Sequence, residues 1–430
     1  LQLFLPFKHI KMDSIEQYLK ASNAAPSVKL KVAKAHSSLL AEGVTSNTQL
    51  PPDLLHRYTS RKAFVKVENL TYRSPLGIKK KAPRLIQGAT PEFISQVGPF
   101  FSAFQRYMKR VWCKKNFLYF TSGANNKDMG DFMNECPNWS TFENDVSAWD
   151  ASFSEQLCAL EVWIAEQFGA PQIVLDMMKY NIKTHGVTTN GWQYACKGTR
   201  KSGDPYTSCF NSLFNAMIHL FVFSLQSGVL PGELKYHIRM MVMGDDNLMK
   251  HDGEEINFYD DLLSLGFDTQ SNYRYNDYEV EFCSSIMVTS KTGFCFVPKP
   301  GKLISKFGYY VQPPKVSRNE ILYGTMCGLE HLSFLKIFHC FLLGVGKFLE
   351  SEGRVRGKFV DRQELAEHKI QFTKVYGDEH SDDLLKLRYG FSNEMYEVCC
   401  QQLLAGNMMH SYVQALFDRE TGADKVIYCI

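Results

Sequence analysis

Met241-Val242-Met243-Gly244-Asp245-Asp246-Asn247-Leu248-Met249 is the stretch around which the rest of the chain is read. Apolar residues flank a Gly-Asp-Asp centre on both sides, which predicts two short strands joined by a tight turn. Such a turn holds two carboxylates at one tip. Adjacent carboxylates repel each other, and a divalent cation is the usual reason for a protein to keep them ionised side by side. Alone, Gly-Asp-Asp is most often an ordinary turn, so its meaning depends on what stands upstream.

Upstream, Phe142-Glu143-Asn144-Asp145-Val146-Ser147-Ala148-Trp149-Asp150 predicts a strand end carrying Asp145, with Asp150 at the turn into a helix; this brings a third carboxylate beside Asp245. Residues 153–182 read as two helices punctuated by Gly169 and Pro171, and residues 185–201, with Gly186, Gly191 and Gly198, as a hairpin or loop. Then comes Lys201-Ser202-Gly203-Asp204-Pro205-Tyr206-Thr207-Ser208-Cys209-Phe210-Asn211. Ser202-Gly203 makes a flexible loop. The nearly continuous apolar run through Leu213, Phe214, Met217, Ile218, Leu220 and Phe221 predicts a long buried helix from near Thr207, with Asn211 one turn on. Polar residues at a buried helix start suit recognition, although Ser202 or Asp204 serving as a plain cap is the competing reading.

Nearer the N-terminus, residues 63–68 alternate as a short strand, followed after a turn by residues 78–86, where Lys79-Lys80-Lys81-Ala82-Pro83-Arg84 places cations just ahead of an apolar strand. Arg84 as a bidentate fork and the lysines as point charges suit a triphosphate; the alternative is a basic edge strand guarded against pairing. A helix is expected after Asp13, with Asp13 as its cap and Glu16 three positions on, and a loop at Pro51-Pro52. Residues 91–136 look helical and aromatic. Pro298 to Lys306 is basic and Gly/Pro-punctuated, fitting either a nucleic-acid backbone contact or a linker. From Asn319 the pattern is helical, with Phe334, Leu335, Phe338, Leu342 and Leu343 as an ordinary core stripe.

The bulk numbers narrow the class. At 430 residues and 45% hydrophobic content the chain can bury a substantial core, in two or three domains or one large multi-lobed fold. A formal charge of +3 is too small to indicate nucleic-acid binding by itself. Twelve cysteines without a C-x-x-C pair predict free thiols in a reducing compartment. Cys327, His331, His339 and Cys340 tempt a zinc reading, but in one unbroken helix the two histidines stand roughly 12 Å apart. No uninterrupted apolar run of about 20 residues is present, so no membrane span is expected. The chain begins at Leu1 rather than Met, as a piece of something longer would.

In order, D-x-x-x-x-D, S-G-x-x-x-T-x-x-x-N and G-D-D resemble motifs A, B and C of viral RNA-dependent RNA polymerases. Fifty-seven residues separate Asp145 from Ser202, and forty-three separate Ser202 from Asp245, ordinary spacings for that family. Lys79 to Arg84 is similar to motif F, and Glu281-Phe282-Cys283-Ser284-Ser285 to motif E. The phrases F-V-K-V-E, A-P-R-L-I-Q and E-F-C-S lean towards the tombusvirus- and nodavirus-like positive-strand group. The resemblance covers roughly residues 60–310.

What the resemblance implies is an α+β right-hand fold: an N-terminal segment and fingers (1–136), a palm of antiparallel sheet plus helices (137–310, with a fingers insertion at about 153–200) and a helical thumb (311–430). Asp145 and Asp245, assisted by Asp246, would be catalytic and hold Mg2+ or Mn2+. Asp150, Ser202, Gly203, Thr207 and Asn211 would recognise the nucleotide and its ribose 2′-hydroxyl. Lys66, Lys80, Lys81 and Arg84 would bind the triphosphate, while Cys283, Ser284 and Lys302 would touch the primer strand. Partners would be an RNA template and product, ribonucleoside triphosphates and other replicase proteins, at membrane-associated complexes in the host cytoplasm. The family usually carries a lysine in motif D, but Leu265 to Arg274 contains none; Lys250 or a water is left as the general acid. Two rivals stand beside this reading. A reverse transcriptase would share the metal carboxylates but generally carries a bulky residue against the 2′-hydroxyl. An inactive palm-fold RNA-binding subunit would bind without turnover.

Overall fold

The computed structural model describes residues 1–66, 84–309, 317–353 and 375–421. Its strands are β1 (Arg61–Val65), β2 (Leu85–Ala89), β3 (Leu118–Phe120), β4 (Ser140–Val146), β5 (Lys183–Thr188), β6 (Gln193–Lys197), β7 (Ile238–Met243), β8 (Asp246–His251), β9 (Thr269–Arg274), β10 (Glu281–Phe282), β11 (Ser285–Ser290) and β12 (Gly293–Pro298). They divide between two units. The first gathers residues 1–66, 84–122 and 142–273; the second gathers 123–141 with the described residues from 274 onward.

In the first unit, one sheet runs β2-β1-β5-β6 and a second runs β3-β7-β8-β4-β9. The predicted Gly-Asp-Asp hairpin is β7–β8, antiparallel, with Met243 opposite Asp246. That register leaves Gly244 and Asp245 as a two-residue loop, and Asp246 is already the first residue of β8 rather than part of the tip. Gly244 has φ +66°, the left-handed value that a hairpin turn with glycine at its first central position requires. β3 joins β7 in parallel, adding a strand that the helical reading of residues 91–136 did not foresee; three apolar residues are too short to show a period. Of residues 78–86, Leu85 and Ile86 open β2 (Leu85–Ala89), Arg84 precedes it, and residues 78–83 lie outside the described residues.

The helices Glu155–Gln167 and Gln172–Asn181, the β5–β6 hairpin and the long helix Thr207–Ser227 form as read. Ser14, not Asp13, caps the first helix, through a reciprocal capping box with Gln17. Asp13 is instead spent on the Arg106 guanidinium, at 2.7 Å from Nη1. Pro51-Pro52 is not a loop: Pro52 opens the helix Pro52–Thr59, where its missing N–H costs nothing. Within the first core, Phe101, Phe104 and Phe210 are in mutual contact. The helix Thr207–Ser227 is long and apolar enough to cross a membrane, which a search for uninterrupted apolar residues overlooked because Asn and His punctuate it. Two-thirds of its apolar window (67%) is buried inside the protein.

The second unit packs the β10-β11-β12 sheet with helices that include Arg318–Leu329, Lys336–Ser351 and Asn393–Leu404. Its own core includes Leu335, Phe338, Leu342, Leu385 and Phe417, so most of the predicted stripe is buried, whereas Leu343 is exposed. The helical run carrying His331 and His339 does break, at a 3-10 turn over Glu330–Leu332. Even so, among the described residues no group of three or more His, Cys, Asp or Glu is placed to hold a metal ion. Eleven cysteines are described, and none of them is in a disulfide.

Candidate active site

The helix Thr207–Ser227 is the spine of the site. Along its apolar length Asn211, Asn215 and His219 recur every four residues, which puts them on one face. Ser212 Oγ accepts the Gly244 N–H at 2.7 Å, and Asn215 Nδ2 donates to the carbonyls of Gly244 (3.1 Å) and Asp245 (2.7 Å). The turn's backbone is thereby fastened to the helix, while the side chains of Asp245 and Asp246 are exposed. Asn247, the next residue, donates to Asn215 Oδ1 at 2.8 Å.

His219 completes this seam. Its Nδ1–H donates to the Asn215 carbonyl at 2.7 Å, which leaves Nε2 to accept from Asn144 Nδ2 (2.9 Å) and Asn247 Nδ2 (3.4 Å). Burial pulls the imidazole down to about 4, because a proton on Nε2 would face two amide donors with no water to relieve it. Asn144 Oδ1 in turn accepts from Ser271 Oγ at 2.9 Å. β4 lies next to β8 in the sheet, and the immediate neighbours of Asp145 and Asp246 meet at one ring nitrogen. Asp145 itself is exposed.

Past β4 the chain turns sharply, with Ala148 at φ +50°, and delivers Asp150 on a 3-10 turn. Asp150 Oδ1 accepts from Asn211 Nδ2 at 3.3 Å. Burial raises the Asp150 carboxyl above the ordinary range; the Asn211 bond and the Arg200 charge oppose that, and the negative charge of Asp245 adds to it. Neither Ser202 nor Asp204 caps the helix, whose N-terminal neighbour is Tyr206 without a side-chain cap bond. Asp204 instead meets Arg61 at 2.7 Å and accepts from Asn181 at 2.8 Å. Thr207 Oγ1 donates to the Lys201 carbonyl at 2.9 Å, and Lys201 Nζ donates to the carbonyls of Asn181 and Gly198, both at 2.8 Å. Gly203 passes so close to β2 that a Cβ there would lie 2.6 Å from the Gln87 carbonyl oxygen. Ser202 is exposed at the tip of this braced loop.

Lys66 and Arg84 sit across from each other where β1 and β2 end, joined by Lys66 N–H donating to the Arg84 carbonyl at 2.8 Å; Lys80 and Lys81 lie outside the described residues. In the second unit Cys283 and Ser284 form the two-residue turn between β10 and β11, both left-handed at φ +49° and +59°. Lys302 Nζ donates to Ser284 Oγ at 2.7 Å. Lys250, considered above as a general acid, is buried in β8.

Against this geometry the comparisons with known proteins can be set. A family profile described as RNA dependent RNA polymerase matches residues 12–322. The chain belongs to the RNA-dependent RNA polymerase family. It is also 23% identical, over 267 residues, to the RNA-directed RNA polymerase of Turnip crinkle virus, a match covering 58% of this chain and 32% of that protein. The chain thus spans about a third of the length of that relative. Both findings agree with a viral polymerase of tombusvirus-like lineage, a nucleotidyltransferase by family, and with the mixed α+β architecture.

Of the site residues expected for such a polymerase, the structure brings Asp150 to Asn211 and puts Asp150 within the field of Asp245. It does not assemble Asp145, Asp245 and Asp246 into a ready three-carboxylate cage. Sequence reading missed Asn144, Asn215, His219 and Asn247, which carry the turn, and Glu161, Arg200 and Arg61, which brace the loop before the helix. The four-residue recurrence of Asn211, Asn215 and His219 in an apolar helix was the available signal.

Proposed function

We propose that this chain is the catalytic part of a viral replicase, joining ribonucleoside triphosphates to a growing RNA 3′ end under the direction of an RNA template. The observation that carries the reading is the His219 ring nitrogen accepting from both Asn144 and Asn247, one residue before Asp145 and one residue after Asp246. Three exposed carboxylates, on the neighbouring strands β4 and β8 and in the turn before β8, backed by neutral hydrogen-bonded polar groups, offer the hard oxygen donors that magnesium or manganese prefers. Asp145 and Asp245 are the residues assigned to hold the metal, with Asp246 assisting. A bound cation would offset the repulsion between these like charges. When bound, the ions would stabilise charge on the attacking 3′ oxygen and the leaving pyrophosphate.

The chain's own residues do the rest. Asp150 and Asn211, with Ser202, Gly203 and Thr207 at the braced loop, meet the ribose; Lys66, Lys80, Lys81 and Arg84 attract the triphosphate; Cys283, Ser284 and Lys302 meet the primer strand. Residues 1–136, 137–310 and 311–430 are assigned as fingers, palm and thumb, and the setting as a replication complex on host cytoplasmic membranes. The half-buried Asp150 beside an asparagine favours an RNA polymerase over a reverse transcriptase, which would need bulk at that place.

The test is incorporation of labelled ribonucleotide on an RNA template with magnesium, comparing the chain with its Asp245→Ala variant. Loss of at least a thousandfold is expected from removing a metal ligand at the reacting centre. Equal incorporation by the two proteins would end the assignment.

A further inference from the structure

Arg200 stands two residues before Ser202 and is entirely enclosed. Its backbone N–H donates to the Asp150 carbonyl at 2.7 Å, and its Nε donates to Asn211 Oδ1 at 2.7 Å. The two terminal nitrogens fork onto the carboxylate of Glu161, with Nη1 at 2.9 Å from Oε2 and Nη2 on Oε1. Phe153 lies under the guanidinium plane at 4.2 Å. Both partners of the ion pair are buried, at 2% and 3% side-chain exposure. Burial weakens the Arg200 cation, but Glu161 outweighs that and leaves the group above the ordinary arginine value, so it is charged at any working pH.

A buried ion pair is a poor way to gain stability, since apolar residues of the same volume generally do as well. Its worth here lies in direction. An asparagine amide has an accepting oxygen and a donating nitrogen, and with nothing to choose between them it can present either. A guanidinium has only donors. By occupying Oδ1 of Asn211 it forces Nδ2 towards Asp150, so that the pair presents one donor next to one acceptor. A hydroxyl group answers both at once, donating to the carboxylate and accepting from the amide; a methylene answers neither. With the amide reversed, two acceptors would face the sugar and the hydroxyl could satisfy only one.

We propose that Arg200, locked by Glu161, is a positioning residue that fixes the polarity of the Asn211–Asp150 pair and thereby sets the preference for ribonucleotides over 2′-deoxyribonucleotides. The proposal rests on the assignment of Asp150 and Asn211 to the ribose made above. Its effect passes through Asn211, and Arg200 itself touches no substrate.

Single-nucleotide incorporation on an RNA template gives the readout, as the ratio of kcat/KM for a ribonucleotide to that for its 2′-deoxy counterpart. Arg200→Lys keeps a cation against Glu161 but supplies no Nε donor, leaving Asn211 Oδ1 without its partner. The ratio is expected to fall about tenfold, nearly all of it from slower ribonucleotide use, because a deoxynucleotide never made the lost bonds. The double variant Glu161→Leu with Arg200→Met replaces both charges by apolar side chains of similar volume. It is expected to keep its thermal midpoint while showing the same fall, which separates positioning from folding if the lysine variant proves unstable.

A folded variant whose ratio matches the wild type, or one in which both nucleotides slow by the same factor, overturns the proposal and leaves the polymerase assignment standing. A wild-type protein that incorporates no nucleotide, or incorporates both equally, would overturn the assignment beneath it.

Discussion

His219 shows how much of the site depends on one neutral ring. It lies at 0% exposure with Nδ1–H on the Asn215 carbonyl and Nε2 facing two asparagine amides, so the folded protein holds it at about 4 against about 6.5 in an unfolded chain. Because the folded value is the lower one, the unfolded state binds the extra proton first as the solution is acidified. The contribution is therefore complete above pH 6.5, and is lost as pH falls from 6.5 towards 4, reaching roughly 3 kcal/mol at the acid end. Thermal midpoints measured from pH 8 down to pH 4 should drop more steeply for the wild type than for His219→Gln, whose amide can still accept from Asn144 and does not titrate. Parallel curves for the two proteins would mean that the ring is not held neutral by this seam. Carboxylates elsewhere also titrate in that range, so the difference between the curves, not either curve alone, carries the result.

At the scale of elements, the β7–β8 hairpin depends on a backbone conformation more than on contacts. Gly244 has φ +66° with open space where a Cβ would go, so a substitution there meets no clash and only the intrinsic penalty of left-handed backbone. Gly244→Ala should cost about 1–2 kcal/mol, and Gly244→Asn distinctly less, because a short amide side chain tolerates that region. Thermal unfolding of both variants is the check; equal losses would point to crowding rather than φ. The same hairpin explains why this part of the molecule was legible. Two apolar runs about a glycine-led turn are a local pattern, as are the apolar helix from Thr207 and the glycine-punctuated β5–β6 hairpin, and local patterns survive translation into three dimensions. The capping serine, the helix opened by Pro52 and strand β3 were lost because each turns on one residue or on a partner distant in sequence. Asp13 reads as a cap until Arg106, 93 positions away, claims it. For the candidate site, the carboxylates and the asparagine could be proposed from the order and spacing of their motifs. The residues that aim them could not, since Glu161 and Arg200 are 39 positions apart and neither belongs to a pattern until the fold joins them.

At the scale of the whole chain, the described residues bury two separate apolar clusters. One includes the buried face of the helix Thr207–Ser227; the other collects Leu335, Phe338, Leu385 and Phe417 with strands β11 and β12. Each cluster falls wholly within one of the two units, and a core of that kind unfolds as a cooperative block, so a single two-state transition is not what such a chain should give. Truncating a buried phenylalanine removes about 3–5 kcal/mol from the block that contains it. Scanning calorimetry of Phe338→Ala and Phe210→Ala should accordingly resolve two components and move a different one in each variant: the first change lowers the component belonging to the C-terminal unit, the second that of the unit holding the Gly-Asp-Asp hairpin. Binding at the proposed site would offer an independent marker: magnesium with a ribonucleoside triphosphate should then raise the component lowered by Phe210→Ala through its differential affinity for the folded state. If either substitution displaced the entire heat-absorption profile as one peak, the two clusters would be acting as a single cooperative core, and the division of the chain into independently stabilised units would have to be withdrawn.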